Sequence, residues 1–309
     1  MKKLVIAGAL AALLGSPALA AEPDSCATVR FSDVGWTDIT ATTAVATTIL
    51  DALGYESKVD VLAVPVTYES LARGDIDVFL GNWMPTMEAY IAPYREAGTV
   101  ETVRTNLTGA KYTLAVSKSL SDAGLKDFAD IARFSEQLDD TIYGIEAGND
   151  GNKIILDMIA KDAFGLGKFS LKESSEQGML AQAKRSAKDG IVFLGWEPHP
   201  MNKNLKMVYL TGGDDWFGPD FGGATVATNV RKGYLEECPN VGRFLKNLEF
   251  SLDMENAIMG SILDDGEDPG DAASAWLKAN PDAVGPWLDG VTTRDGGDAV
   301  AAVREAVGA

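Results

Sequence analysis

A short apolar run precedes a glycine and a tryptophan in Ile76-Asp77-Val78-Phe79-Leu80-Gly81-Asn82-Trp83-Met84-Pro85. A run of this length is typical of a buried β-strand, and we expect the strand to stop at Gly81. The same Val-Phe-Leu-Gly core precedes a second tryptophan in Ile191-Val192-Phe193-Leu194-Gly195-Trp196-Glu197-Pro198. A third strand–Gly–Trp pattern is Val29-Arg30-Phe31-Ser32-Asp33-Val34-Gly35-Trp36. Since open α/β sheets bind ligands at the carboxyl ends of their strands, Trp36, Trp83 and Trp196 are predicted to lie at a ligand site.

The opposing interpretation is that each tryptophan only packs in the core, which is the commoner role of a single tryptophan. The threefold repetition of one context favours the site for Trp36, Trp83 and Trp196. The other three tryptophans lack that context, and we assign them to packing: Trp216, Trp276 and Trp287.

The N-terminus has the features of a secretory signal peptide. Lys2 and Lys3 precede an apolar run over residues 4–14, and Ala18-Leu19-Ala20 is a small-residue cleavage pattern. We expect residues 1–20 to be removed, which leaves 289 of the 309 residues as a soluble periplasmic protein. No later apolar run reaches the ~18 residues that a membrane span needs.

The charge balance argues against a nucleic-acid partner. The chain carries a net charge of −18, which becomes −20 without Lys2 and Lys3. Nucleic-acid binding requires basic patches that neutralise phosphates. An acidic protein is compatible with a cationic ligand, although solubility alone also accounts for net charge.

The two cysteines, Cys26 and Cys238, are predicted to form a disulfide, because an even pair in an exported protein is usually oxidised. The bond would close a loop of about 210 residues and contribute roughly 5 kcal/mol in the chain-entropy model. It would also tie the first mature strand to the last third of the chain.

Strand and helix patterns alternate along most of the chain, which predicts an α/β fold with a mostly parallel sheet. A second unit begins at a cleanly alternating segment, Lys111–Lys118, and the chain from residue 236 onward is nearly all helical. We predict two α/β domains joined by a two-segment hinge. Residues 21–112 and 207–309 form the first lobe, and residues 113–206 form the second.

The tryptophans come from both predicted lobes, and Tyr112 lies where the chain crosses between them. Aromatic rings facing one cleft are suited to quaternary ammonium groups, which have no N–H donors and carry their charge on methyl groups. The sequence thus favours a small methylated cation as the ligand.

These motifs jointly resemble those of the choline-binding members of the periplasmic substrate-binding proteins for choline, glycine betaine and proline betaine in bacterial ABC importers. The resemblance spans the mature chain and rests on Gly35-Trp36-Thr37-Asp38, Gly81-Asn82-Trp83-Met84-Pro85, Ala110-Lys111-Tyr112, Gly148-Asn149-Asp150-Gly151 and Gly195-Trp196-Glu197-Pro198. It implies a bilobal, type II periplasmic-binding-protein fold, a membrane permease as partner and choline as ligand. It also implies an ammonium box of Trp36, Trp83, Tyr112 and Trp196, with Asp38 and Asn149 bound to the choline hydroxyl.

Several alternatives remain open at this point. Asp38 and Asn149 are both also candidates for helix N-caps. His199, the only histidine, could reach a betaine carboxylate, although a structural role in a proline-rich turn is favoured. Glycine betaine or proline betaine is the alternative ligand, and acetylcholine cannot be ranked against choline.

Enzymatic function is not expected. The sequence lacks a Gly-x-Ser-x-Gly elbow, a His-Glu-x-x-His motif, a P-loop and a Rossmann fingerprint. A choline-ester hydrolase is therefore the weakest alternative. We expect no metal, no cofactor and a monomeric protein.

Overall fold

The computed structural model describes residues 22–309, so the predicted signal peptide lies outside the described residues. The strands are β1 (Thr28–Asp33), β2 (Glu56–Val61), β3 (Val78–Met84), β4 (Val100–Ser117), β5 (Thr141–Tyr143), β6 (Ser170–Lys172), β7 (Val192–Glu197), β8 (Met207–Tyr209) and β9 (Gly223–Arg231).

The helices of the first two thirds are α1 (Thr37–Ala52), α2 (Val64–Arg73), α3 (Glu88–Glu96), α4 (Lys118–Asp122), α5 (Ser135–Leu138), α6 (Asp150–Ala160), α7 (Glu176–Arg185) and α8 (Met201–Asn204). The remaining helices are α9 (Asp214–Phe217), α10 (Pro219–Gly222), α11 (Tyr234–Glu237), α12 (Pro239–Asn247), α13 (Leu252–Gly260), α14 (Pro269–Ala279), α15 (Val284–Trp287) and α16 (Ala299–Val307). Short 3-10 segments cover Asp24–Cys26, Phe128–Phe134 and Ala163–Gly165, and a π-helical turn covers Ser261–Asp265.

All nine strands within residues 22–309 belong to one sheet with the order β2-β1-β3-β9-β4-β7-β5-β6, and β8 pairs with β4. The outer parts are parallel: β1 pairs with β2 and β3, and β5 pairs with β6 and β7. The central strands β3, β9, β4 and β7 pair antiparallel. The α/β prediction is confirmed, with an antiparallel centre that the alternating pattern did not indicate.

Strand β4 connects the two halves of the sheet. The first half contains β2, β1, β3 and β9, and the second half contains β7, β5 and β6. Its first part, from Val100 to Lys111, pairs with β9, and its last part, from Lys111 to Val116, pairs with β7. The alternating segment Lys111–Lys118 predicts a new unit here, whereas register shifts let one strand of 18 residues continue through the region. Tyr112 lies at the point where the pairing partner changes.

Two of the predicted strand ends are wrong. Strand β3 runs through Gly81 and Trp83 to Met84, and β7 runs through Gly195 and Trp196 to Glu197. Gly81 has a packing role, because a Cβ there would lie 2.8 Å from the Ile39 side chain on α1. Only β1 ends before its glycine, Gly35, which has a φ of 79°.

The lobe boundaries, residues 21–112 with 207–309 and residues 113–206, remain a prediction. Strand β8 pairs with Ala115–Ser117 of β4, in the second half of the sheet. The next strand, β9, pairs with β3 in the first half. These pairings favour a return of the chain to the first half after β8.

The predicted disulfide is present. Cys26 and Cys238 are bonded, with their Cα atoms 5.6 Å apart, and both residues are fully buried. The bond attaches the segment before β1 to the start of α12. Between residues 22 and 309, no helix combines the length and apolar character needed to cross a membrane.

Candidate ligand-binding site

Six side chains line one buried cavity: Trp36, Asp38, Trp83, Tyr112, Ile145 and Trp196. None of the six residues is more than 5% exposed. The structure therefore brings the four predicted rings and Asp38 together around one enclosed space. Whether they contact a ligand remains a prediction.

The sheet and α1 position these side chains. Trp83 and Trp196 lie within β3 and β7, and Trp36 lies between β1 and α1. Tyr112 of β4 is the direct cross-strand partner of Trp196, so the register of β4 and β7 places the two rings side by side. Rings from distant parts of the chain meet because their strands belong to one sheet.

The rings lie in the tilted and edge-on arrangements that aromatic side chains prefer. The centroid of Tyr112 is 6.0 Å from that of Trp83 and 6.3 Å from that of Trp196. A Cβ at Gly151, in the first turn of α6, would lie 2.0 Å from the Tyr112 hydroxyl. Glycine at position 151 is therefore what lets Tyr112 reach the start of α6.

Trp36 is oriented by a residue from the other half of the sheet. Its indole N–H donates to Glu146 Oε1 at 2.7 Å. Burial raises the pKa of Glu146, whereas the hydrogen bond from Trp36 opposes that rise. The contact fixes the plane of the Trp36 ring at the cavity.

Asp38 is the only ionisable carboxyl group among the six lining side chains. Its Oδ2 accepts from the Trp83 indole N–H at 3.1 Å, whereas Oδ1 is buried with no hydrogen-bond partner in the described chain. Burial, followed by the charge of Glu176, raises the pKa of Asp38 to about 8. At neutral pH this raised pKa favours the protonated carboxyl group, whereas a cation in the cavity would favour the carboxylate.

The alternative role of Asp38 as an N-cap is wrong. The N-cap position of α1 is Trp36, and Asp38 lies inside the first helical turn. A carboxylate in the first turn interacts favourably with the helix dipole, which partly offsets its burial.

Asn149 does cap a helix. Its Oδ1 accepts from the Asn152 backbone N–H at 2.8 Å at the start of α6, and its Nδ2 donates to the Glu146 carbonyl at 2.5 Å. Asn149 is buried but is absent from the six residues that line the cavity. Its link to the site is Tyr112, whose hydroxyl donates to Asn149 Oδ1 at 3.5 Å.

His199 lies beside the cavity wall and is absent from the lining. Its ring is 4.9 Å from that of Trp196, edge to face. Nε2 is 3.0 Å from Glu176 Oε1, and Nδ1 accepts from the Met201 N–H at 2.8 Å. The structural role favoured from the sequence agrees with these contacts.

The remaining tryptophans lie outside the cavity lining. Trp287 is buried and stacks on Trp276 with 6.3 Å between centroids, and Lys161 Nζ is 5.2 Å from the Trp216 ring centroid.

Sequence reasoning missed Ile145, Glu146, Glu176 and Asp150. Ile145 and Glu146 lie between β5 and the Gly148-Asn149-Asp150-Gly151 motif, so a signal near them existed. Glu176 had none, because it looked like an ordinary residue in the first turn of a helix. Asp150 is buried with neither carboxylate oxygen hydrogen-bonded within the described chain, and burial raises its pKa to about 6.

The lining favours binding over catalysis. Within the described residues, the cavity wall contains four aromatic rings, one aliphatic side chain and one carboxyl group, with no lysine, arginine or histidine. One cluster in residues 22–309 contains three potential metal ligands: Cys26, Glu237 and Cys238. Its two cysteines form the disulfide. That group therefore offers no thiolates to a metal ion.

Comparisons with known proteins agree with this geometry. Residues 27–279 match the family described as the substrate binding domain of ABC-type glycine betaine transport system. An uncharacterized protein, ORF1, of Chromohalobacter salexigens is 54% identical over 129 residues, which are 42% of this chain and 83% of that protein.

Two solved structures are more similar over the full length. An ABC-transporter choline binding protein in complex with choline is 68% identical, with 93% of this chain and 100% of that chain covered and a TM-score of 0.91. An ABC-transporter choline binding protein in an unliganded semi-closed conformation is 67% identical, with 93% and 100% covered and a TM-score of 0.85.

These neighbours confirm the predicted two-lobe fold of periplasmic binding proteins and the expectation that the chain is not an enzyme. Substrate-binding proteins of this family are extracellular or periplasmic. By its matched residues, its fold and its relatives, the chain belongs to the family of substrate-binding domains of ABC-type glycine betaine transport systems, and it is the substrate-binding protein of a betaine or choline transporter.

Proposed function

We propose that this protein captures choline in the aromatic cavity and delivers it to the membrane permease of an ABC importer. The observation that carries the proposal is the meeting of four rings with the unpartnered Oδ1 of Asp38 in one buried space. The ligand contacts would be Trp36, Asp38, Trp83, Tyr112, Asn149 and Trp196.

The rings account for recognition of the ammonium group. A trimethylammonium group needs apolar surface and negative π-faces together, and each ring contributes ~0.5–2 kcal/mol. Four rings could therefore supply several kcal/mol, which is consistent with micromolar binding. A single ring would be too weak.

Asp38 accounts for the charge and the hydroxyl group. A cation among the rings would stabilise the carboxylate, and the free Oδ1 would accept a hydrogen bond from the choline hydroxyl. Asn149 would assist only if its Nδ2 turned from the Glu146 carbonyl toward the ligand. We therefore expect Asp38 to matter more than Asn149.

Glycine betaine is the second candidate, which the family description favours. A betaine carboxylate is bound best by arginine, lysine or backbone N–H donors. Among the described residues, the cavity lining contains the Asp38 carboxyl group and no basic side chain. Repulsion between the two carboxylates is the reason for preferring choline.

The superposition agrees with a liganded arrangement, since the TM-score is higher with the choline complex than with the unliganded semi-closed structure, 0.91 against 0.85.

We further propose that residues 1–20 direct the chain to the periplasm, where it acts as a monomer.

The experiment is titration of the mature chain, residues 21–309, with choline, acetylcholine, glycine betaine and proline betaine, read by tryptophan fluorescence and calorimetry. We expect choline to bind in the micromolar range and more tightly than either betaine. Tighter binding of glycine betaine would transfer the proposal to the betaines, and release of choline from acetylcholine would contradict a binding role.

Replacement of one ring tests the cavity itself. Trp83→Ala should weaken choline binding by at least about 1 kcal/mol, because one π-face and the indole donor to Asp38 are lost. Trp216→Ala, outside the lining, is the matched control and should leave the affinity unchanged. Equal affinities of both variants and the wild type would remove Trp83 from the binding site.

A further inference from the structure

A buried chain of hydrogen bonds joins the two halves of the sheet beside the cavity. Glu176, at the start of α7, accepts from the Thr37 backbone N–H at 2.9 Å through Oε2 and from the Thr37 hydroxyl at 2.7 Å through Oε1. Thr37 begins α1, which follows β1 in the first half, whereas α7 lies between β6 and β7 of the second half. Glu176 is 1% exposed and Thr37 is 4% exposed.

His199 completes this chain. Because its Nδ1 accepts from the Met201 N–H, its proton is on Nε2, which donates to Glu176 Oε1 at 3.0 Å. His199 is also 1% exposed. The Glu176 carboxylate therefore receives three hydrogen bonds, two of them from the opposite half of the sheet.

The chain ends at ligand-site residues on both sides. Thr37 stands between Trp36 and Asp38 in the sequence, and the His199 ring packs against Trp196. Thr37, Glu176 and His199 themselves are absent from the cavity lining. They act on a ligand through the residues that they hold, and Glu176 also acts through its charge on Asp38.

We propose that Thr37, Glu176 and His199 form a closure bridge in which Glu176 is a positioning residue that holds the closed cavity together and sets how slowly the ligand leaves. The inference rests on the proposed function, because it concerns release of the ligand from that cavity.

The bridge resists opening because separation of α1 and α7 would break the hydrogen bonds from Thr37 to Glu176. Opening removes two of the three donors of Glu176, whereas a buried carboxylate is stable only when hydrogen-bonded. The bridge therefore resists opening, and its removal should act on dissociation more than on association.

The main variant is Glu176→Gln in the full mature chain. The glutamine amide presents an N–H group to a site with three donors, so at least one hydrogen bond is lost whichever way the amide is turned. We expect the choline dissociation rate, measured by stopped-flow fluorescence, to rise about 10- to 100-fold, with the association rate changed less than about threefold. Glu136→Gln, an exposed glutamate in the first turn of α5, is the matched control.

Thr37 supplies a second variant pair, in case Glu176→Gln does not fold. Thr37→Val removes the hydroxyl donor and should raise the dissociation rate about 5- to 10-fold, whereas Thr37→Ser keeps that donor and should restore the wild-type rate. A role in folding alone would lower the melting temperature of both variants without this split.

The outcomes separate the two proposals. Faster dissociation in Glu176→Gln and Thr37→Val, but not in Thr37→Ser, supports the bridge; wild-type rates in all three contradict it. Failure of the wild type to bind choline overturns the proposed function instead. In that case, small-angle scattering of the ligand-free proteins tests the bridge. A larger radius of gyration in Glu176→Gln than in the wild type supports it, and an equal radius contradicts it.

Discussion

Asp38 and Asp77 are buried aspartates near opposite ends of strand β3. They differ in whether a positively charged side chain compensates their carboxyl group. Asp77 precedes β3 and is paired with Arg30, at 2.7 Å, and with Arg231, at 2.6 Å. Burial alone would raise the pKa of Asp77, yet the hydrogen bonds from the two arginines outweigh it and lower the pKa. Asp38, next to Trp83 near the end of β3, has an indole donor in place of a cation, and its pKa is raised to about 8.

The difference shows how one fold uses a buried carboxylate in two ways. Asp77 has its compensating charges within the chain and contributes to folding. Asp38 costs stability on its own and gains its compensation only if a cation enters the cavity. The two residues should therefore respond oppositely to the same substitution.

The largest effect is expected at Asp77. Asp77→Asn leaves two guanidinium groups without their carboxylate and should lower the free energy of unfolding by about 3 kcal/mol. Choline affinity should stay unchanged, because Asp77 lies outside the cavity lining. Urea denaturation measures the loss, with the exposed Asp75→Asn as the control. A stable Asp77→Asn protein would show that the arginine pairs contribute little.

Asp38→Asn should have the reverse profile. The ligand-free protein should keep its stability, since an uncompensated carboxyl group is removed, whereas choline affinity should fall by about 2 kcal/mol, or about 30-fold. Glycine betaine should lose less, because its own carboxylate no longer faces Asp38. Calorimetry with both ligands measures the two changes, and a larger loss for betaine would contradict the assignment of choline.

The smallest effect is a dependence of affinity on pH. With a pKa of about 8, Asp38 is mostly protonated below that pH, so a cation must displace a proton to bind. The affinity for choline should therefore fall as the pH falls below about 8, by at most tenfold per unit, and level off above it. The acidic groups near Asp38 are Glu176 of α7 and Glu255 of α13.

A pH profile of Asp38→Asn is the control for this prediction. It should lose the dependence near pH 8 while keeping any contribution from Asp150, whose pKa is about 6. An identical slope in the variant and the wild type would assign the titration to another group.

The tryptophans that converge on the cavity could be predicted because each carries a local signal. Trp83 and Trp196 follow the same Val-Phe-Leu-Gly core, and strands of one sheet bring such positions together. The role of Gly81 could not be predicted in the same way. A glycine that ends a strand and one that clears space for Ile39 look alike until the helix is packed.

The bridge was beyond sequence reasoning for a different reason. Thr37 and Glu176 are 139 residues apart, and neither belongs to a motif that indicates pairing. Asn149 shows a third limit: its capping bond is a local interaction that the sequence predicts, whereas its distance from the cavity depends on how Tyr112 packs against α6.

The most direct test of the central claim compares choline with 3,3-dimethyl-1-butanol, which has the same shape with a neutral carbon in place of the ammonium nitrogen. Calorimetric titration of the wild type and Asp38→Asn with both ligands gives a thermodynamic cycle for the charge. If the ligand supplies the cation that Asp38 lacks, the wild type should prefer choline by at least about 100-fold, and the variant should lose at least about tenfold of that preference. An equal preference in the two proteins would contradict it.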